Sequence, residues 1–164
     1  MKKTVICLTV WVATLMFNLA VNGQRQDAGK AAPQTPVIVF VCEHGAAKSL
    51  VAAAHFNRLA GERHLNLRAI ARGTNPDQEL APTAVRGLQA DGLVPGESAP
   101  KKISKADLVG AERVIAFCPL PDGYADRVGV EHWDDIPSVS EDYGRARDRL
   151  LERIGRLLEE LKSK

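Results

Sequence analysis

The sequence predicts an α/β fold: a single doubly wound sheet of about four parallel strands, with helices on both faces. Two stretches, Val37-Ile38-Val39-Phe40-Val41 and Val114-Ile115-Ala116-Phe117-Cys118, are unbroken apolar runs rich in β-branched residues. That is the pattern of strands buried on both faces. Helical periodicity fills the intervals between strand candidates, and such alternation implies a parallel sheet. The chain has 164 residues, 45% hydrophobic and 26% charged, which suits one globular domain and argues against disorder for the bulk of it. No internal repeat is found.

Before the first strand, Met1-Lys2-Lys3 is a basic start, residues 4–21 are apolar apart from threonines and Asn18, and the run ends in Val21-Asn22-Gly23. A basic head, apolar middle and small-residue exit predict a signal peptide over residues 1–23 and an exported protein, periplasmic or secreted. An uncleaved membrane anchor over residues 4–21 is the alternative, because the run is near the lower limit for spanning a bilayer. Cys7 sits early in this run as apolar filler. Residues 24–36 are small, polar and proline-containing, a linker that leaves 37–164 as the folded domain. Of 22 Lys and Arg against 20 Asp and Glu, only Lys2 and Lys3 fall in the first 23 residues. Residues 24–164 therefore carry no net charge, and electrostatic binding of nucleic acid loses its support. Three cysteines cannot all pair internally, so this is not a disulfide-stapled chain.

In order, the first strand (37–41) leads to a helix over residues 49–61, with Leu50, Ala53, Ala54 and Phe56 among its apolar positions and Gly61 as its stop. Residues 67–71 form a shorter strand, halted by Arg72-Gly73-Thr74-Asn75-Pro76. Pro82 suits a first helical turn, and Ala84, Val85 and Leu88 recur at helical spacing up to Gly92. Ser104 caps a short helix through Val109. The second buried-strand run closes at Pro119, and a fourth strand covers residues 128–133. The last helix is set by Tyr143, Ala146, Leu150, Ile154, Leu157, Leu158 and Leu161, at spacings of three and four. Tyr143 is read as a core contact of that helix.

Parallel sheets place ligands at the carboxyl ends of their strands, which directs attention to Cys42. The stretch Cys42-Glu43-His44-Gly45-Ala46-Ala47-Lys48-Ser49 is a tight, small-residue loop entering a helix. Such a loop aims several backbone N–H groups at one point and suits an oxyanion. The same dipoles favour a thiolate, hence a nucleophilic cysteine; a buried structural cysteine is the alternative. Lys48 adds a positive charge, and Ser49 is expected to cap the helix and donate a hydrogen bond to the sulfur. A nucleotide phosphate loop is disfavoured, because the glycines it needs at positions 42 and 47 are absent. Cys42 and His44 lack a second closely spaced Cys/His pair, so neither a metal nor a cofactor is expected.

The loop resembles the Cys-x5-Arg-Ser signature of the low-molecular-weight protein tyrosine phosphatases and the related thioredoxin-coupled arsenate reductases. The resemblance spans nearly the whole body. Residues 69–74 are similar to the Ser-Ala-Gly-Thr stretch after the second strand, 82–92 to the helix that follows, and 107–118 to the third strand. His132-Trp133-Asp134-Asp135 is similar to the acid loop. The resemblance implies that Cys42 attacks phosphorus in line, giving a phosphocysteine that water hydrolyses. It makes Glu43, His44, Gly45, Ala46, Ala47 and Ser49 the substrate cradle, with Lys48 taking the place of the charge-neutralising arginine. It also implies an aspartic acid, Asp135 in preference to Asp134, that protonates the leaving oxygen and later activates water. The implied substrates are phosphate monoesters, phosphotyrosine in a phosphoprotein among them.

Several positions depart from the family pattern. Lysine at 48 is a point charge, where arginine would grip two oxygens with a planar fork. Gly45 replaces an asparagine, Glu43 brings a negative charge, and the usual Asp-Pro reads Asp134-Asp135-Ile136-Pro137. Cys118 falls where the reductases carry a second redox cysteine, yet residues 119–132 hold no third. A two-cysteine arsenate reductase would end in a Cys42–Cys118 disulfide reduced by an external thiol, and export argues against this reading, because arsenate reduction normally draws on cytosolic thioredoxin. A non-catalytic anion-binding domain is the third reading. Tyr124 and Trp133 are placed among the specificity loops.

Overall fold

The structure, a computed structural model, describes residues 35–124 and 129–163. The expected signal or anchor and most of the linker lie outside the described residues. The elements are β1 (Val37–Cys42), α1 (Lys48–Glu62), β2 (Arg68–Gly73), α2 (Pro82–Ala90), α3 (Lys105–Val109), β3 (Ala111–Ala116), β4 (Val130–His132) and α4 (Tyr143–Lys162). The four strands form one parallel sheet in the order β2-β1-β3-β4.

The unbroken apolar run of β1 follows from its place inside the sheet. Successive side chains of a strand point to opposite faces, and both faces are covered here. Ile38 and Phe40 join the core formed with α1, α2 and α4, whereas Val39 and Val41 pack with Ile103 and with Leu108 of α3. Phe40 is the hub of the first core, with ring centroids 5.9 Å from Phe56, 6.2 Å from Phe117 and 5.8 Å from Trp133.

Several boundaries differ from the sequence expectation. Ser104 caps α3 as expected, and the structure adds a reciprocal bond from Asp107 that completes a capping box, but Gly110 ends α3 directly against the sheet, so β3 starts at Ala111 and stops at Ala116. The Phe117 N–H still donates to the Val41 carbonyl at 2.8 Å. Phe117 and Cys118 then bend out of the strand. Within the described part of the expected fourth strand, only Val130–His132 pair. Trp133 is 1% exposed in the aromatic core, not on a loop around a cleft. Thr35 and Pro36, assigned to the linker, are already tied to the start of β2 through Asn66 and the Arg68 N–H. Among the described residues no helix is long and apolar enough to cross a membrane.

One polar cluster inside this packing fixes the start of α4. His55 of α1 is fully buried, its Nε2 3.4 Å from the Tyr143 hydroxyl and 3.3 Å from an Asp91 carboxylate oxygen. Tyr143 donates to Asp91 at 2.6 Å, and Arg147 donates to the other Asp91 oxygen at 3.1 Å. Tyr143 thus makes a core contact, as expected, and a polar one that the apolar periodicity does not reveal. Burial first, then the Arg58 charge, lowers His55 below the ordinary imidazole value, against the opposing pull of Asp91. A histidine whose folded-state value is depressed stabilises the fold above its unfolded value, and that contribution is lost as pH falls. Melting temperature should therefore begin to drop below about pH 6.5, the unperturbed imidazole value. The carboxylates held low, such as Asp91, weaken the fold only in more acidic solution. Thermal melts at pH 7 and pH 5 check this: His55→Gln should remove most of the loss between those two values.

Candidate active site

At the carboxyl end of β1 the chain turns through residues 43–47 into α1. Four carbonyls of this turn are held by the segment after β2. Thr74 N–H donates to Cys42 (3.0 Å), Asn75 to Glu43 (2.8 Å), Asp77 to His44 (3.1 Å) and Ala81 to Ala46 (3.1 Å). In a planar trans peptide the N–H points opposite to the carbonyl. Anchoring these carbonyls outward therefore turns the N–H groups of Glu43, His44, Gly45 and Ala47 to the other side, towards the cleft. The Gly45 N–H shows the result, donating to Cys42 Sγ at 3.2 Å.

Glycine is required where the turn is tightest. Gly45 has φ +65°, and a Cβ there would lie 2.9 Å from the Gly73 nitrogen and 3.1 Å from its Cα. Gly73 faces the same crowding in return: its Cβ would come within 2.9 Å of the Gly45 nitrogen. The two glycines let the loop and the end of β2 touch backbone to backbone.

Ser49 does not cap α1. The N-cap is Ala47, without a side-chain cap, and the buried Ser49 hydroxyl lies 3.1 Å from Cys42 Sγ. The hydroxyl is thus committed to the sulfur, and among the described residues no side chain caps the first turn of the helix. That leaves an anion-binding helix terminus with a thiol at its focus.

Cys42, Glu43, His44, Ala47 and Lys48 line one cleft of about 260 Å³, together with Phe117, Cys118 and the β4–α4 loop residues Ser138, Val139 and Ser140. Gly45 and Ala46 are buried in the turn behind it. Lys48 forms no ion pair among the described residues, so its ammonium is left for an anion. Cys42 and Cys118 are both free thiols. Burial pushes the Cys118 thiol up. A hydrogen bond with Thr74 opposes that, the charges of Cys42 and Glu43 add to it, and Lys48 works against it. Cys118 is thereby held as a neutral thiol beside the nucleophile candidate.

The aspartates expected as acid and base are not brought to this cleft. Neither Asp134 nor Asp135 lines it. Asp135 accepts hydrogen bonds from Arg149 Nε and from Arg153 Nη2, both at 2.6 Å. Burial works to raise its carboxyl, but the two arginines outweigh this and hold it below the ordinary carboxylate range. A carboxylate so paired is a poor proton donor. The residue directly before Pro137 is Ile136, 3% exposed in the core, so no carboxylate occupies that step either. The β4–α4 loop does reach the cleft, but through Ser138–Ser140, where no signal in the sequence marks it. Asp77 was missed as well: it lies 33 residues from His44, and only the fold joins them.

No protein-family model and no curated protein matches the chain. Solved structures do match its fold. A mutant of YwlE from Bacillus subtilis superposes with a TM-score of 0.65 at 22% identity, over 77% of this chain and 99% of that one. A low molecular weight protein tyrosine phosphatase from T. tengcongensis gives 0.63 at 21% identity, over 76% and 99%. A thioredoxin-dependent arsenate reductase from Corynebacterium glutamicum gives 0.63 at 22%, over 82% of this chain and 65% of that one. At these identities the likeness establishes a shared fold.

Proposed function

We propose that this chain, on the fold it shares with low molecular weight phosphatases and a thioredoxin-dependent arsenate reductase, is a cysteine-based hydrolase of phosphate monoesters. The observation that carries the reading is the setting of Cys42. Its sulfur receives the Gly45 N–H at 3.2 Å and faces the Ser49 hydroxyl at 3.1 Å, at the uncapped start of α1. Backbone dipoles converging on one point stabilise both a thiolate and the oxyanion it attacks. Among the described residues Lys48 supplies the one ammonium lining the cleft, with less grip on equatorial oxygens than a guanidinium, so turnover is expected to be slow. The export read from residues 1–23 belongs to this proposal.

Cys118 in the same cleft supports a second reading, a thiol-dependent arsenate reductase. There, Cys42 would displace water from arsenate. The Cys118 thiol would then pass its proton to an arsenic-bound oxygen as its sulfur attacks the Cys42 sulfur, leaving the S–As electron pair on arsenic as arsenite. An external dithiol would reduce the resulting disulfide. Incubating the purified full-length chain with an aryl phosphate, and separately with arsenate plus dithiol, distinguishes the two. The hydrolase reading expects phenol release that persists, within a few-fold, in Cys118→Ala. Arsenite formation that disappears in Cys118→Ala, without phenol release, would replace it by the reductase. Inactivity in both assays would leave an anion-binding domain.

A further inference from the structure

Phosphoryl transfer from an ester needs a proton for the departing oxygen, and the aspartates of the β4–α4 loop do not reach the cleft. Resting on the hydrolase reading above, we infer that Glu43, directly after the nucleophile, is the acid and base of this site, and that His44, anchored by Asp77, positions it. Three independent features support this. Among the described residues Glu43 is the only carboxylate that lines the cleft. Its charge reaches the cleft interior, where, after burial and alongside Cys42, it contributes to the rise of the Cys118 thiol. Its carboxylate lies 3.8 Å from His44 Nε2, and His44 Nδ1 lies 3.0 Å from Asp77 Oδ1. The Asp77 N–H in turn donates to the His44 carbonyl at 3.1 Å, so backbone and side chain together fix the ring.

The chemistry balances within this set. The Cys42 thiolate attacks phosphorus, and the P–O bond to the leaving group breaks with its electron pair on oxygen. The carboxylic acid of Glu43 gives that oxygen a proton, leaving phosphocysteine, free alcohol and a Glu43 carboxylate. The carboxylate then takes a proton from water as the water oxygen attacks phosphorus. The P–S bond breaks, regenerating thiolate and acid and releasing phosphate. The titratable groups facing Glu43 are His44 in the loop, Lys48 on α1, Cys42 at the end of β1 and Cys118 after β3, with Asp77 behind His44.

The test measures kcat/KM for aryl phosphates of graded leaving-group acidity, from phenyl to 2,4-dinitrophenyl phosphate, across pH. A proton donor matters most for poor leaving groups. Glu43→Gln should lower kcat/KM on phenyl phosphate by roughly 10²–10⁴-fold, the usual range for general acid catalysis. It should leave the dinitrophenyl ester within a few-fold and steepen the leaving-group dependence, while Glu43→Asp should recover part of the loss. Asp77→Asn, acting through His44, should move the pH profile with a smaller loss. An unchanged leaving-group slope in Glu43→Gln would overturn the assignment, whether rates fall uniformly or only KM changes. A slope that responds to Asp135→Asn in place of Glu43→Gln would overturn it as well. No turnover of even the dinitrophenyl ester by the unaltered chain would remove the hydrolase reading itself, and this inference with it.

Discussion

Cys42→Ser should abolish turnover of aryl phosphates, lowering kcat by about 10⁴-fold or more, in line with removal of the nucleophile in other covalent catalysts. Chemistry and binding separate in this variant. Serine differs by one atom and can keep the contacts of the sulfur with the Gly45 N–H and the Ser49 hydroxyl, and the bonds that anchor the loop from outside do not involve the sulfur. The carbonyls of Cys42, Glu43, His44 and Ala46 remain anchored by Thr74, Asn75, Asp77 and Ala81. Phosphate or vanadate should therefore still raise the melting temperature of the serine variant, because a ligand that binds only the folded state stabilises it by mass action. Loss of hydrolysis with retained ligand stabilisation is the expected pair of results, read by a phenol-release assay and thermal melts.

Gly45→Ala should destroy the oxyanion site and destabilise the fold by about 2–4 kcal/mol, combining the cost of a left-handed backbone with backbone overpacking. The new Cβ would meet the Gly73 nitrogen at 2.9 Å, its Cα at 3.1 Å and the Arg72 carbonyl carbon at 3.3 Å. All three are backbone atoms, so no side-chain rotation relieves the contact. The loop and the end of β2 would have to separate, with loss of the bonds that turn the N–H groups inward. Gly61→Ala is the matched control. It lies in the last turn of α1 with nothing within 4 Å of its Cβ, and it should be neutral or stabilise by up to about 1 kcal/mol. Denaturant melts with and without phosphate would show a lowered midpoint and no ligand protection in Gly45→Ala only.

The parts of this protein that follow from local rules could be read in the sequence. A strand covered on both faces is apolar, which made residues 37–41 and the second half of β3, residues 114–116, visible. A helix with one buried face must repeat at three and four, which made α4 visible. The loop after β1 was visible because small residues between a strand and a helix have few other uses. What escaped depends on residues distant in the chain. The outward anchoring of the loop carbonyls comes from residues 74–81, and the seat of His44 from Asp77. Asp135 illustrates the limit most clearly. The pair Asp134-Asp135 near a proline resembles an acid loop, but Arg149 and Arg153, four apart on α4, capture the Asp135 carboxylate. That i,i+4 spacing was the signal in the sequence, though only the docking of α4 shows which acid it meets. The cluster of buried His55 with part-buried Asp91 and Tyr143 escaped for the same reason, since its members lie far apart in the chain.

Trapping the covalent intermediate shows whether Cys42 is the nucleophile. The full-length chain is mixed with 2,4-dinitrophenyl phosphate, quenched within the first turnovers, and digested for peptide mass analysis. A phosphoryl group is expected on the sulfur of Cys42, absent in Cys42→Ser and when vanadate occupies the loop. Phenol release at an undiminished rate with Cys42 unmodified, or a phosphoryl group on another residue, would contradict it.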